Sequence, residues 1–365
     1  MNSSLKIAIC IPSLGSGGAE RVTSILANQL VACGHEVSVV MLSHLLCVYP
    51  LSEKIGTETL DCDGDADLPY IKRFSVRLKK IRAAIKRLSP DVVISFMSET
   101  NIDVCFALRG MRIPVIVSER NDPAIDPASK IKQIMRKFAY VKPKGFVFQT
   151  PDAQSYFSKR IQKRSAIILN PLTGSLPAPY EGEREKRIVA VGRLNKQKNF
   201  PMLIDAFSGF SVSHPEYVLE IYGEGSLEES IGQYIADKAL EGKVILKGFC
   251  KDVHEKTRSA AMFVMSSDFE GMPNALLEAM AIGLPCISTD CPCGGPRMLI
   301  EPYHNGLLVP IKSSEKMQEA MTYMAEHPTE AEAMAMNARK VKDRADVTMI
   351  TEQWLDMIKR SKEGR

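Results

Sequence analysis

The sequence lacks the features that mark several large protein classes. No run of about 18 apolar residues occurs, so no helical membrane span is expected. The opening stretch "MNSSLKIAICIPSLG" has one early lysine, and its apolar run breaks too soon for a convincing signal peptide. It reads as a buried first strand. Nine cysteines are scattered singly except for Cys291 and Cys293, an odd count without framework spacing. That usage suits a reducing cytosol, with thiols serving as small core residues. The same pair has no third and fourth ligand at zinc spacing, which argues against a structural metal. Aromatics are sparse, tryptophan occurs once (Trp354), and no basic stretch is interleaved with aromatic residues. Nucleic acid is therefore not an expected partner.

What is present is the balance of a soluble globular chain, 45% hydrophobic and 25% charged. At 365 residues it exceeds one ordinary core, so two domains are expected. The net charge of +4 hides an asymmetry. Residues 1–172 hold 24 Lys and Arg against 15 Asp and Glu, or +9; the remainder holds 23 against 28, or −5. A basic half suggests contact with something anionic.

Short apolar strands alternate with helical stretches throughout. Strand candidates in the first half are "KIAICIPS", "EVSVVML", "DVVISFM", "PVIVSER" and "GFVFQT". Between the first two, Val22, Ile25, Leu26 and Leu30 recur at helical spacing before Gly34. The second half repeats the scheme with "RIVAVGR", "YVLEIYGEG", "KVILKGF", "AAMFVMSS", "LPCISTD" and "NGLLVP". Strand–helix–strand order means parallel sheets wound with helices, an α/β fold of two Rossmann-like doubly wound domains. The Pro- and Gly-rich "LNPLTGSLPAPYEGERE" is the natural linker. Domains are expected at 1–171 and 172–345, followed by an amphipathic terminal helix at 346–365 that carries Trp354. Two such sheets are expected to face each other across a cleft, with ligands beyond the carboxyl ends of their strands.

Four motifs fall at such strand ends. "PSLGSGGAER" places Gly15, Gly17 and Gly18 before a helix start, where backbone N–H groups and the dipole favour an anion. It lacks dinucleotide spacing, and the plain alternative is a flexible turn. "VGRLNKQKNF" sets Arg193 and Lys198 on one loop, a fork and a point charge suited to a diphosphate; the alternative, commoner wherever lysines cluster, is a solvated basic loop. "YGEGSLEESI" offers Gly223 and Gly225 for close approach of a ligand, or a simple turn. "FEGMPNALLEAMA" brackets a helix start with two carboxylates. Gly271 and Pro273 mark the start, and Leu276, Leu277 and Met280 form the buried stripe. Glu278 is then expected to turn away from the core and Glu270 to sit on the preceding loop. Carboxylates accept well from sugar hydroxyls; the alternative is two solvated glutamates.

Together "GSGGAERV", "GRLNKQKNF", "FEGMPNALLEAMA", "DCPCGGPR" and "NGLLVP" resemble the retaining glycosyltransferases of family 4, with the GT-B fold. The likeness runs from residue 6 to about 312, and the two acids Glu270 and Glu278 are its most specific element. The resemblance implies that Glu278 binds the donor ribose, that Glu270 contacts the donor hexose, and that Arg193 and Lys198 hold the diphosphate. Gly271, Asn274 and Ala275 belong to the same donor-binding element, with Gly17 and Gly18 near the phosphate and acceptor side. It also implies that the terminal helix crosses back to the first domain. Where many relatives have a histidine, this chain has Arg120 in "SERND", a site residue of open role; its alternative is a surface arginine paired with Glu119 or Asp122. The aspartates of "DCDGDAD" (61–67) have no strand context and read as solvated, not as a metal site.

The expected chemistry is transfer of a hexose or N-acetylhexosamine from a nucleoside-diphosphate sugar, with UDP the family's commonest base, to a lipid-linked oligosaccharide with retention. The surface glycan would be O-antigen, capsule or similar. Arg193, Lys198 and helix-start N–H groups would stabilise the leaving diphosphate, so no metal or other cofactor is expected. The helical stretch 71–90 sets Ile71, Phe74, Leu78, Ile81, Ile85 and Leu88 on a stripe with Lys72, Arg73, Arg77, Lys79 and Lys80 beside it. Those cations suit an anionic inner membrane and a polyprenyl-diphosphate-linked acceptor; the alternative is a core helix with a solvated basic face. The location expected is cytoplasmic, peripheral to the inner face of the membrane. The rival functions are a nucleotide-sugar epimerase or hydrolase on the same fold, and a non-catalytic nucleotide-sugar-binding protein.

Overall fold

A computed structural model describes residues 4–15, 17–44, 48–62, 64, 67–172 and 176–363. The chain divides into two compact units, Met1–Pro171 with Ala345–Arg365, and Leu172–Arg344. In the first unit the elements run β1 (Lys6–Ile11), α1 (Gly18–Ala32), β2 (Glu36–Met41), β3 (Gly56–Thr59), α2 (Tyr70–Leu88), β4 (Val92–Phe96), α3 (Ser98–Ala107), β5 (Val115–Ser118), α4 (Lys130–Ala139), β6 (Gly145–Phe148), α5 (Pro151–Ser155), α6 (Lys159–Gln162) and β7 (Ser165–Ile167). The second unit contains β8 (Glu185–Val191), α7 (Phe200–Ser213), β9 (Val218–Tyr222), α8 (Glu228–Asp237), β10 (Val244–Gly248), α9 (Val253–Thr257), β11 (Ala260–Met265), α10 (Asn274–Ala281), β12 (Cys286–Thr289), α11 (Gly295–Leu299), β13 (Leu307–Val309), α12 (Ser314–Glu326), α13 (Pro328–Ala338) and α14 (Val341–Arg344). The last helix, α15 (Val347–Glu363), returns to the first unit.

The first sheet has the order β3-β2-β1-β4-β5-β6-β7 and the second β10-β9-β8-β11-β12-β13. Every neighbouring pair is parallel; for example, Ile9 aligns with both Val39 and Ile94. Each sheet begins at its middle strand and winds outward both ways, the doubly wound pattern. Central strands covered on both faces must be apolar throughout, which is why Val92–Phe96 reads "VVISF" and is buried at every position. The short edge strands β3 and β7 have no such run and are only half-buried, so their "GTET" and "SAI" lack a strand signature.

α1 buries Val22, Leu26 and Leu30 against its sheet, with Ile25 only half-buried. α15 inserts Ile350, Trp354, Met357 and Ile358 into the same core, and the Trp354 ring lies 5.7 Å from Phe96. α2 departs from its expected stripe. Only Ile81, Ala84 and Ile85 are buried, whereas Ile71 is 82% exposed. The stripe reaches the core only over its C-terminal half. In "DCDGDAD", Asp61, Cys62, Gly64 and Asp67 are irregular or turn residues with Cys62 buried; Asp63, Asp65 and Ala66 lie outside the described residues.

Candidate active site

The second unit builds its polar centre from two loops that follow β8 and β11. After β8 the chain makes a 3-10 turn at Lys196–Lys198, and Asn199 then takes a left-handed conformation that starts α7, its carboxamide oxygen accepting from Met202 N. That asparagine also donates to Asp268 Oδ1 at 2.9 Å. Around it the loops are zipped together: Asp268 N donates to the Gln197 carbonyl, Gln197 Nε2 to the Phe269 carbonyl and Ser266 Oγ to the Lys198 carbonyl. This network leaves Lys198 Nζ 2.6 Å from Glu270 Oε1. Ser267 Oγ donates to the same oxygen at 2.8 Å. Glu270 Oε2 makes no hydrogen bond among the described residues and is not sealed off by packing. A carboxylate with one oxygen anchored and the other open is arranged to accept from a hydroxyl.

The backbone of Glu270 is fixed as well. Its N–H donates to the Pro292 carbonyl, and Cys293 N donates to the Glu270 carbonyl. Burial pushes the neighbouring Cys291 thiol up to about 12, with the Glu270 charge adding to the effect, so this cysteine stays protonated. Gly295 packs so close that a Cβ there would lie 1.8 Å from the Gly271 carbonyl oxygen. "DCPCGGPR" therefore serves as the support beneath Glu270 and the start of α10. Within the sequence it signalled only kinship.

Glu278 is not the solvated glutamate of the alternative reading. The whole of α10 from Leu276 to Ala281 is buried, Glu278 included at 9% exposure, because the helix is covered on more than one side. Its carboxylate does not turn out to solvent; Oε2 meets His254 Nε2 of α9 at 2.9 Å. His254 carried no sequence signature, since a lone histidine in "KDVHEK" reads as surface. Asn274 and Ala275 form the first turn of α10, half-buried, and the N-cap residue Pro273 makes no side-chain cap among the described residues. The structure thus joins Lys198 to Glu270 directly and places Glu278 on the helix that follows. It does not join Arg193 to them: that side chain is exposed, without a hydrogen bond or ion pair among the described residues.

Gly223 and Gly225 have a packing reason. A Cβ on Gly223, at φ +139°, would lie 2.0 Å from the Gly192 carbonyl oxygen, and one on Gly225 would lie 2.4 Å from that of Leu194. The loops after β8 and β9 touch backbone to backbone there. Gly192 in turn leaves room for the Lys198 stem, whose Cε would be 2.8 Å from a Cβ.

In the first unit, Gly17 is the extended residue ahead of α1, and a Cβ on it would first meet the movable carboxylate of Glu20; Gly18 opens the helix. Arg120 is not a surface arginine paired with Glu119 or Asp122. Its guanidinium lies 4.5 Å over the Phe96 ring and 5.8 Å from Trp354, and Nη1 donates to Asn170 Oδ1 at 2.8 Å. Nε and Nη2 are buried without a hydrogen-bond partner among the described residues, and burial pushes its pKa down to about 9. Glu119 turns the other way, accepting from Tyr140 Oη with Arg136 Nη1 at 3.8 Å. Of the α2 cations, Arg77 is spent on Asp103 at 2.9 Å and Lys80 on the Asp61 carbonyl, while Lys72 and Lys79 are exposed. Arg73 is half-buried.

Residues 16–172 match the model "Glycosyltransferase Family 4", and residues 177–341 match "Glycosyl transferases group 1". The chain belongs to the family 4 glycosyltransferases. This glycosyltransferase is 29% identical over 361 residues to a Campylobacter jejuni enzyme, covering 97% of this chain and 98% of the relative. That relative is the alpha-1,4-N-acetyl-D-galactosaminyltransferase acting on GalNAc-alpha-(1->4)-GalNAc-alpha-(1->3)-diNAcBac-PP-undecaprenol. A stretch of 152 residues is 37% identical to the lipopolysaccharide 1,6-galactosyltransferase of Salmonella typhimurium, covering 39% of this chain and 41% of that enzyme. The GT-B fold of the glycosyltransferase is seen in Anabaena Alr3699/HepE in complex with UDP and glucose, with a TM-score of 0.84 at 17% identity over 97% of this chain and 99% of that one.

Proposed function

We propose that this glycosyltransferase moves a hexose or N-acetylhexosamine from a UDP-sugar to a polyprenyl-diphosphate-linked glycan, with retention and without a divalent metal. The reading rests on Lys198 and Glu270, held 2.6 Å apart by interlocked loops at the strand ends of the second unit. In the free enzyme each neutralises the other. When the donor enters, the Lys198 ammonium turns to the diphosphate, aided by Arg193 and the start of α10. Glu270, released from part of that pairing and still held by Ser267, accepts from the sugar hydroxyls. Glu278, oriented by His254, accepts from the ribose. The bond between the anomeric carbon and the β-phosphate oxygen breaks, and negative charge on the departing diphosphate is met by Lys198 and Arg193. The acceptor hydroxyl forms the new bond on the same face and passes its proton to a diphosphate oxygen.

The lipid-linked acceptor follows the Campylobacter relative, whose named substrate carries undecaprenyl diphosphate. No helix among the described residues is long and apolar enough to cross a membrane. Contact with such an acceptor is then peripheral, at the cytoplasmic face. The test is incubation with a panel of nucleotide sugars and polyprenyl-diphosphate-linked acceptors in EDTA, reading mass and anomeric configuration. Product of retained configuration is expected. A strict metal requirement, an inverted linkage, or donor turnover at the same rate without acceptor would overturn the reading.

A further inference from the structure

α4 presents its apolar side to solvent. Ile131, Ile134 and Phe138, continued by Val141 just beyond the helix, are 67%, 55%, 64% and 60% exposed. Steps of three and four residues align the three helical ones in one stripe. The opposite side is anchored through Arg136, buried and donating to the Asp126 and Pro123 carbonyls. The helix "KIKQIMRKFA" has four basic residues and no acid. Lys132 is tied to Glu99, whereas Lys130 and Lys137 are exposed along one flank of the stripe. Ile125 before the helix and Tyr70 and Ile71 of α2 are exposed as well. Residues Tyr70 and Arg73 of α2 share a cavity with Lys132 and Met135 of α4, so these two elements are neighbours.

We infer that α4 is the membrane-docking helix of this enzyme. It lies in the plane of an anionic bilayer with Ile131, Ile134, Phe138 and Val141 among the upper acyl chains and Lys130 and Lys137 at the headgroups. The inference rests on the proposed lipid-linked acceptor and names the surface that meets the lipid. Three large apolar side chains in an outward stripe, continued by Val141, need a cover, and the charges select which one. An antiparallel second copy packed stripe to stripe would bring the exposed lysines of both copies together. Anionic headgroups satisfy them instead, each contributing to binding at low salt. The net +9 of residues 1–172 acts in the same direction.

The experiment uses the full chain, floated with phosphatidylglycerol-containing vesicles and with pure phosphatidylcholine vesicles. Wild type is expected to bind the former far more tightly. The double substitution Ile134→Ser with Phe138→Ser is expected to weaken that binding at least about tenfold. Lys130→Ala with Lys137→Ala is expected to weaken it about tenfold at low salt and to leave phosphatidylcholine binding unchanged. UDP binding by calorimetry and circular dichroism are expected to match wild type in both variants, showing intact folds. Failure of wild type to bind anionic vesicles, undiminished binding by the serine variant, or a solution dimer that this variant dissociates would overturn the inference. A wild type that binds vesicles through α4 but no nucleotide sugar would instead strike the donor assignment alone.

Discussion

The two units wind their sheets in the same order yet treat charge at their strand ends in opposite ways. In the first unit, Arg120 after β5 is laid over Phe96 and near Trp354, and Glu119 is locked by Tyr140 and Arg136. In the second, Lys198 and Glu270 compensate each other across two loops, and one carboxylate oxygen stays open. Burial among rings fixes a charge and perturbs it. Mutual pairing, here between two largely covered side chains, leaves each charge to be exchanged for a ligand's. Topology supplies the position in each unit, and the neighbours decide whether it is used for packing or for chemistry.

The sharpest way to break this comparison is to cut the pair. Glu270→Gln and Lys198→Ala should each lower kcat/KM about 1,000-fold, the scale of losing a group that meets transition-state charge. Lys198→Ala should also destabilise the second unit, because Glu270 is left without its cation. Initial rates and urea unfolding followed by circular dichroism check both; near-wild-type turnover by either variant would place the chemistry elsewhere.

Next in size is the packing side. Trp354→Ala should cost about 3–5 kcal/mol in the first unit, since it empties the space of the largest fully buried side chain in the core. Unfolding followed by circular dichroism reads the loss. As the sole tryptophan, Trp354 also makes wild-type fluorescence a reporter of this unit.

Glu119 tests the same unit through pH. Burial raises its carboxyl from 4.5 to about 7, against the lowering influence of Arg136 and Tyr140, with Asp126 adding to the rise. An acid whose folded pKa is raised releases its proton more readily when unfolded. Its contribution therefore falls as pH rises from about 4.5 to about 7 and is level above. Relative to Glu119→Gln, wild type should lose up to about 3 kcal/mol between pH 5 and pH 8, by urea unfolding read through Trp354. A constant difference between the two proteins would show that Glu119 ionises freely in place.

The smallest expected effect sharpens the second unit. His254→Ala removes one partner of Glu278 and should raise the donor KM about threefold to tenfold while leaving kcat within about twofold. A fall in kcat with KM unchanged would contradict an orienting role.

Much of the architecture could be read in advance because buried parallel strands carry continuous apolar runs. "VVISF" and "AAMFVM" announce themselves, whereas β3 and β7 do not, having one side or edge less to cover. Glu270 and Lys198 could be named from their loops, but their direct contact could not, being the product of a hydrogen-bonded zipper between residues 70 positions apart in round figures. Glu278 shows the limit of helical periodicity, which predicts one buried stripe and fails for a helix enclosed on several sides.

Local composition determined the alternation of strand and helix, the parallel sheets, the two-unit plan and the loops that bear charge, since each depends on periodicity and on turn chemistry within a few residues. Tertiary structure alone decided that His254 meets Glu278, that Arg120 is enclosed by rings, and that the apolar stripe of α4 faces outward. Those outcomes depend on which distant elements cover a given face, and a sequence pattern records that a face is apolar without recording what lies against it.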